Sequence, residues 1–263
     1  MSDLMNKRER SLLQIQPRYD ARDVWMALAE EEDVSFEVLE LSSPPALNES
    51  RRFESCREWY KRSGRVTSVH GAFIDVNPGS GDDDFRALSQ RRCVESCELA
   101  RFLGAENVIF HCSCAPFLRG DYQEEWAKRC ASFYQEIAAR FSVHLFIENS
   151  MDVNCQPLKD LMERCGSERI GICLDLGHAS YSRMPLTHWF EQLGEWIGYL
   201  HLSDNLGLYD DHLPLGEGIV DWELGDGLWR KAGGRMPMTL EVGGPEGVRS
   251  SLQFLRKHHY FGQ

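Results

Sequence analysis

Between residues 171 and 218 the chain reads GICLDLGHASYS, then a helix-sized gap, then YLHLSDNLGLYDDHLPLGEG. Asp175, His178, His201, Asp210 and His212 fall in these segments, where an apolar run stops and polar residues begin. Carboxylates and imidazoles gathered in this way are the ligand types of a hard or borderline divalent cation. The runs 170–174 and 197–202 are short, rich in β-branched and aromatic residues and without polar alternation, which predicts strands buried on both faces. Asp175 and His178 are then three apart across one strand end, and His201 closes the next strand. Asp210 and His212, two apart on a turn-rich loop, can face the same point.

Eight apolar runs recur with room for a helix after each: 12–15, 36–41, 66–73, 108–110, 143–147, 170–174, 197–202 and 238–242. Helical spacing marks 20–32, 82–103, 122–141, 157–165 and 248–255, while 220–231 is interrupted by glycine. Strands alternating with helices predict a parallel sheet, and eight units over 263 residues predict closure into a single-domain (β/α)8 TIM barrel spanning residues 1–263. On that scaffold His70 falls toward the end of the third strand, His111 on the fourth, Glu148 on the fifth, Asp175 and His178 on the sixth, His201 on the seventh and Glu241 on the eighth. All lie at the C-terminal ends, the face on which this architecture builds its active sites.

The formal charge is -12 and the basic residues are dispersed, which argues against nucleic acid or an anionic membrane as a partner. No apolar run approaches the roughly 20 residues that span a bilayer. The charged start MSDLMNKRERSLL does not read as a signal peptide, so the expected location is cytoplasmic. Nine scattered cysteines without a CxxC pair suit a reducing compartment. Cys112 and Cys114, beside His111, read as packing residues before site thiols.

Glu148, Asp175, His201 and Glu241 together would give an oxygen-rich site with one imidazole, suited to a divalent ion such as Mn²⁺ or Zn²⁺. Glutamates on strands five and eight could pass a proton to either face of a hydroxy-ketone, the requirement for isomerising or epimerising a sugar. Alternatively His70, His111, His178, Asp210 and His212 could hold further ions with Glu148 bridging, which suits attack on a phosphodiester. The residues permit both.

The segments VHGAFIDVNPGS, VIFHCS, LFIENS, GICLDLGHA, YLHLSDN, DDHLPLGEGIVDW and TLEV, from about Val66 to Val242, resemble the xylose-isomerase-like TIM-barrel superfamily, which includes sugar isomerases, epimerases and the endonuclease IV enzymes. In the epimerase branch the resemblance implies one catalytic metal on Glu148, Asp175, His201 and Glu241, with Glu148 and Glu241 as the acid/base pair. In the endonuclease branch it implies three zinc ions, one on His70, His111 and Glu148, one on Glu148, Asp175, His201 and Glu241, and one on His178, Asp210 and His212. The nuclease branch carries a proline and a tyrosine after the first ligand histidine, where this chain has Ala72 and Phe73, and the loops here are acidic or neutral.

The expectation is therefore a metal-dependent isomerase or epimerase of a small-molecule sugar or sugar phosphate, with an endonuclease IV-like zinc phosphodiesterase and a non-catalytic metal- or sugar-binding barrel as alternatives. Homo-oligomerisation stays open. Asn77, Asn149, Ser203 and Asn205 could bind sugar hydroxyls or serve loops and caps. Phe73, Trp59, Tyr209 and Trp222 could form a stacking wall or pack the barrel against its helices. Gly243 and Gly244 could present amides to a phosphate or form a plain turn, and Arg119 could meet an anionic substrate or pair with Asp121.

Overall fold

The computed structural model describes residues 12–42, 50–182 and 184–263. Eight parallel strands close in sequence order: Leu13–Ile15 (β1), Ser35–Val38 (β2), Val66–His70 (β3), Asn107–His111 (β4), His144–Glu148 (β5), Ile170–Asp175 (β6), Ile197–Leu202 (β7) and Met238–Leu240 (β8), with β8 pairing back onto β1. This is the expected (β/α)8 barrel. Among the described residues no helix is long and apolar enough to cross a membrane, and the nine cysteines are free and buried.

Local chemistry sets where the elements start and stop. The helix Asp83–Leu103 begins where the Asp82 carboxylate accepts from the Phe85 amide, and Trp222–Lys231 begins where Asp221 accepts from Leu224. Such caps satisfy amides that the helix itself leaves unpaired. The third strand ends at His70, three residues earlier than the apolar run, although the Gly71 amide still donates to the Ile109 carbonyl at 2.7 Å. A Cβ on Gly71 would lie 2.2 Å from the Phe110 ring, so no other residue fits there without displacing Phe110. Large side chains such as Trp126, Tyr134 and Trp189 fill the layer between strands and helices.

Register brings the ligand types to one height. His111 on β4 pairs with Glu148 on β5, and Asp175 on β6 pairs with His201 on β7, past a register shift between Ile172 and Cys173. Below that level the interior is polar as well as apolar. Glu37 of β2, fully buried, accepts through Oε2 from Tyr199 Oη at 2.8 Å and from Thr239 Oγ1 at 2.8 Å, and Tyr199 Oη also meets Ser68 Oγ at 3.1 Å. Beside this network Ile109, Phe146, Cys173 and Tyr199 form a small apolar plug.

Candidate metal centre

The strand ends gather the expected side chains around Glu148, which is wholly buried. Its Oε2 lies 3.4 Å from His70 Nε2 and 3.5 Å from His111 Nε2. Its Oε1 lies 3.2 Å from His201 Nδ1, which is itself 3.3 Å from Glu241 Oε2. Asp210 Oδ2 stands 3.3 Å from His178 Nε2 and 3.1 Å from His212 Nε2. Asp175 clusters with Glu148, His201 and Glu241, and His178 Nδ1 lies 3.3 Å from Glu148 Oε1 and 3.6 Å from Asp175 Oδ2, so all nine candidate residues come together, as three groups that meet at Glu148 and at the neighbouring His178.

These spacings have a chemical meaning. In a tetrahedral arrangement with bonds of about 2.0–2.1 Å, adjacent ligand atoms lie about 3.3–3.4 Å apart. Glu148 Oε1 and Oε2, Asp175 Oδ2 and His201 Nδ1 are moreover buried without a hydrogen-bond partner. Unpaired buried carboxylate oxygens are costly, and a divalent cation is the group that offsets the cost. The donor set, with carboxylates and neutral imidazoles, fits zinc or another borderline ion.

The other nitrogen of four of the five rings is fixed from outside. His70 Nδ1 meets the Gly71 carbonyl at 3.1 Å, His178 Nδ1 the Asn149 carbonyl at 2.7 Å and His212 Nδ1 the Glu241 carbonyl at 2.8 Å. Donation to those carbonyls leaves each Nε2 as a lone-pair ligand. His201 is turned the other way, its Nε2 3.1 Å from Glu37 Oε2 and its Nδ1 toward the centre. A carboxylate behind a ligating imidazole fixes its tautomer and raises its basicity. His212 has φ 48°, a left-handed backbone that non-glycine residues seldom adopt and that the Glu241 contact helps to hold.

Electrostatics agree with a cation-seeking centre. Burial opposes ionisation of Glu148, but the His201 and His111 charges overcome it and hold the carboxyl well below its usual range. Burial pushes Asp175 up to about 6 with help from Glu148 and Glu241, against the pull of His178. Burial would lower His201 and His178, yet the surrounding carboxylates raise both well above an ordinary imidazole. His111 is the exception, lowered to about 4 by burial. The carboxylates thus favour positive charge at this centre.

Several essential contacts belong to residues with no obvious sequence signal. Gln16 Nε2 donates to Glu37 Oε1 at 2.9 Å and also to Glu241 Oε1, tying β1, β2 and β8 together above the polar network. Asp204 accepts from the Asn205 and Val220 amides through Oδ1, and from the Gly216 amide and Trp222 Nε1 through Oδ2, at 2.9–3.1 Å. That one buried carboxylate ties down the loop carrying Asp210 and His212. A Cβ on Gly218 would come within 2.2 Å of Asp204 Oδ1 and the Asn205 carbonyl, so glycine is required there. Only the charge of Glu37 within SFEV, and of Asp204 two residues after an apolar run, hints at these roles.

Of the stacking candidates, Phe73 packs 5.0 Å from both the His70 and His111 rings, and Tyr209 stands exposed on the β7 loop. Trp59 instead packs on Tyr19, Phe36 and Tyr60, and Trp222 is buried beneath Asp204, so both are structural. Tyr181, not anticipated, lies 5.7 Å from the His178 ring. Asn149 straps β5 to β6 through both its amide atoms and Asp175, while Asn77 and Asn205 pin loops. Ser203 Oγ is buried without a partner. Gly244 opens the helix Gly244–His258, and Arg119 is exposed. Burial pushes the Cys112 thiol up and the Cys114 thiol up to about 12, which removes both as thiolates.

A family profile described as xylose isomerase-like TIM barrel matches residues 29–258. The chain belongs to this family. Among curated relatives, the uncharacterized protein MJ1311 of Methanocaldococcus jannaschii is 28% identical over 59% of this chain and 56% of its own length. The chain thus spans little more than half of that relative. A probable endonuclease 4 of Mycobacterium ulcerans is 24% identical over 88% of this chain and 94% of its own length. Among solved structures, the TTHB071 protein of Thermus thermophilus, soaked with ZnCl2, is 26% identical with a TM-score of 0.76, covering 94% of this chain and 97% of that one. A D-tagatose 3-epimerase-like protein is 22% identical with a TM-score of 0.72, covering 94% and 96%, and shares the fold. Proteins described as sugar epimerases are thus among the structural neighbours, and probable endonuclease 4 proteins among the curated relatives.

Proposed function

We infer that the chain is a metal-dependent hydrolase of phosphate esters of small molecules, with a centre for two or three divalent ions. The observation that carries this reading is the placement of Glu148, one oxygen facing His70 and His111 and the other facing His201. A carboxylate so placed could be shared between two ions. An isomerase base needs instead a glutamate oxygen free to reach a C–H bond. The second oxygen of Glu148 is directed to the His70–His111 pair, and that of Glu241 accepts from Gln16. We therefore place hydrolase ahead of epimerase, the reverse of the order expected from the sequence.

When bound, paired ions acidify water and neutralise the charge that develops on a phosphoryl group. The residues of the chain hold the site for that chemistry. Carbonyls of Gly71, Asn149 and Glu241 keep three imidazoles in ligating tautomers, and Glu37 holds the fourth. Phe73 and Tyr181, half-buried beside the histidines, narrow the approach of bulk water. Asp82 and Asp84 after β3, and Asp211 and Glu217 after β7, add negative charge to loops on the ligand-bearing face, against a DNA substrate and in favour of a small ester.

Epimerisation has one specific observation in its favour: Glu148 and Glu241 both approach His201 Nδ1, at 3.2 and 3.3 Å. Elemental analysis of protein purified without added metal, with parallel assays on bis(p-nitrophenyl) phosphate and a panel of ketoses and their phosphates, separates the two. Two or more equivalents of metal with ester turnover is the expected result. One equivalent with ketose turnover would replace the hydrolase reading.

A further inference from the structure

The exposed apolar side chains of this molecule are unevenly placed. Among the described residues the five most exposed large ones are Leu208 at 81%, Met151 and Tyr209 at 74%, Phe117 at 72% and Leu206 at 65%. All five stand on loops that leave the C-terminal ends of β4, β5 and β7, the ends that carry the metal ligands. Met151 follows Glu148 by three residues, and Leu208 and Tyr209 directly precede Asp210. Scattered exposed apolar residues need no explanation, but a collection on the rim of a ligand-lined mouth does.

The part of the rim that follows β7 has a fixed shape. The Leu206 amide donates to Asp211 Oδ2 at 3.1 Å, the Gly207 amide to Asn205 Oδ1 at 2.8 Å, and the Ile219 amide to the Asn205 carbonyl at 2.9 Å. A Cβ on Gly207 would lie 2.9 Å from Ile219 Cδ1, so the loop closes tightly on Ile219 and leaves Leu206, Leu208 and Tyr209 outward. These side chains are therefore held at the mouth by hydrogen bonds beneath them rather than by packing into the core. Their apolar surface faces solvent, and covering that surface favours whatever brings an apolar group to the centre.

We propose that the substrate carries an alkyl or aryl group beside its phosphate, and that this group lies across Met151, Leu206, Leu208, Tyr209 and Phe117 while the phosphate meets the metal centre. The proposal rests on the hydrolase reading and adds the class of ester. An apolar monoester or diester fits an apolar rim set among acidic residues, whereas a polyanionic backbone or a bare polyol does not. Arg119, exposed beside Phe117 and Leu118, is the one cation in that stretch of the β4 loop.

The test uses the zinc-loaded full chain and a series of methyl-, butyl-, octyl- and phenylphosphonate, titrated calorimetrically. Phosphonates report binding without turnover. Affinity is expected to rise by about threefold for each added methylene until the rim is covered. In a Met151→Ser, Leu208→Ser, Tyr209→Ser variant the long-chain affinities should fall toward that of methylphosphonate with zinc content retained. Equal binding of methyl- and octylphosphonate by the unaltered chain would overturn the inference and leave the hydrolase reading in place. A rising series in a chain that hydrolyses no ester would support the rim and sink the hydrolase. Failure of every phosphonate to bind would remove both. Light scattering on the same samples decides the competing occupant, since a dimer that the serine substitutions dissociate would assign the rim to a second copy.

Discussion

Two levels of the same barrel interior hold buried charged and polar groups, and they differ in one respect. At the lower level Glu37, Tyr199, Ser68 and Thr239 bond one another, and Gln16 completes Glu37. At the upper level Glu148, Asp175 and His201 leave four atoms without partners. Polarity alone therefore does not mark a functional site in a barrel. What marks it is hydrogen-bonding capacity that the chain itself leaves unused. The lower level finishes its own chemistry, and the upper level keeps lone pairs of the kind a cation takes up.

The sharpest break of this comparison is Glu148→Gln. Removing the bridging charge should cost at least one equivalent of bound metal and reduce turnover to background, read by elemental analysis and ester assay. Prior removal of metal by a chelator should abolish turnover of the unaltered chain, with recovery on adding Zn²⁺. Retained activity in either experiment would refute the centre. Glu37→Gln acts one step behind the centre, through His201, and should weaken metal affinity by about 10–100-fold, measured by competition with a zinc indicator.

Tyr199→Phe probes the lower level. It takes one donor from the buried Glu37 carboxylate and should cost about 1–3 kcal/mol in denaturant unfolding while metal content stays unchanged. Loss of metal in that variant would show that the two levels are not separable.

Asp152 provides the most discriminating effect. Its Oδ2 accepts from the Ser150 amide, its Oδ1 is buried and unpaired, and burial pushes the carboxyl up to about 6. Because the folded value lies above the unfolded one, folding favours the protonated form, so stability declines as pH rises from about 4 to about 6. In metal-free protein Asp152→Asn removes that dependence. The variant should match the parent near pH 4 and exceed it by about 2–3 kcal/mol by about pH 7, followed by thermal denaturation across pH. A constant difference across pH would mean that the carboxyl does not titrate in this window.

The sequence displays the upper level plainly because its ligands sit where apolar runs end. His70, His111, Glu148, Asp175, His201 and Glu241 interrupt hydrophobic text, and the eight runs that place them are the strands themselves. The lower level is hidden for the same reason. Glu37, Tyr199 and Thr239 lie inside runs that read as uniformly buried, and strands covered on both faces show no alternation to reveal which side chains point inward. Trp59 and Trp222 read as stacking candidates because aromatic type does not record direction. Gly71 is held to glycine by the space that Phe110 occupies, a constraint set across two strands and invisible in either alone.

Asp204 leads to a kinetic consequence. With four donors bound to one buried carboxylate, the loop bearing Asp210 and His212 is held by the chain itself, so ion capture should spend little ordering entropy on it. Its amides at Asn205, Gly216 and Val220 should resist hydrogen exchange as strongly in stripped protein as in loaded protein. Loading then resembles filling a socket rather than closing a clasp, and metal exchange runs at the pace of dehydration and ligand deprotonation instead of backbone rearrangement.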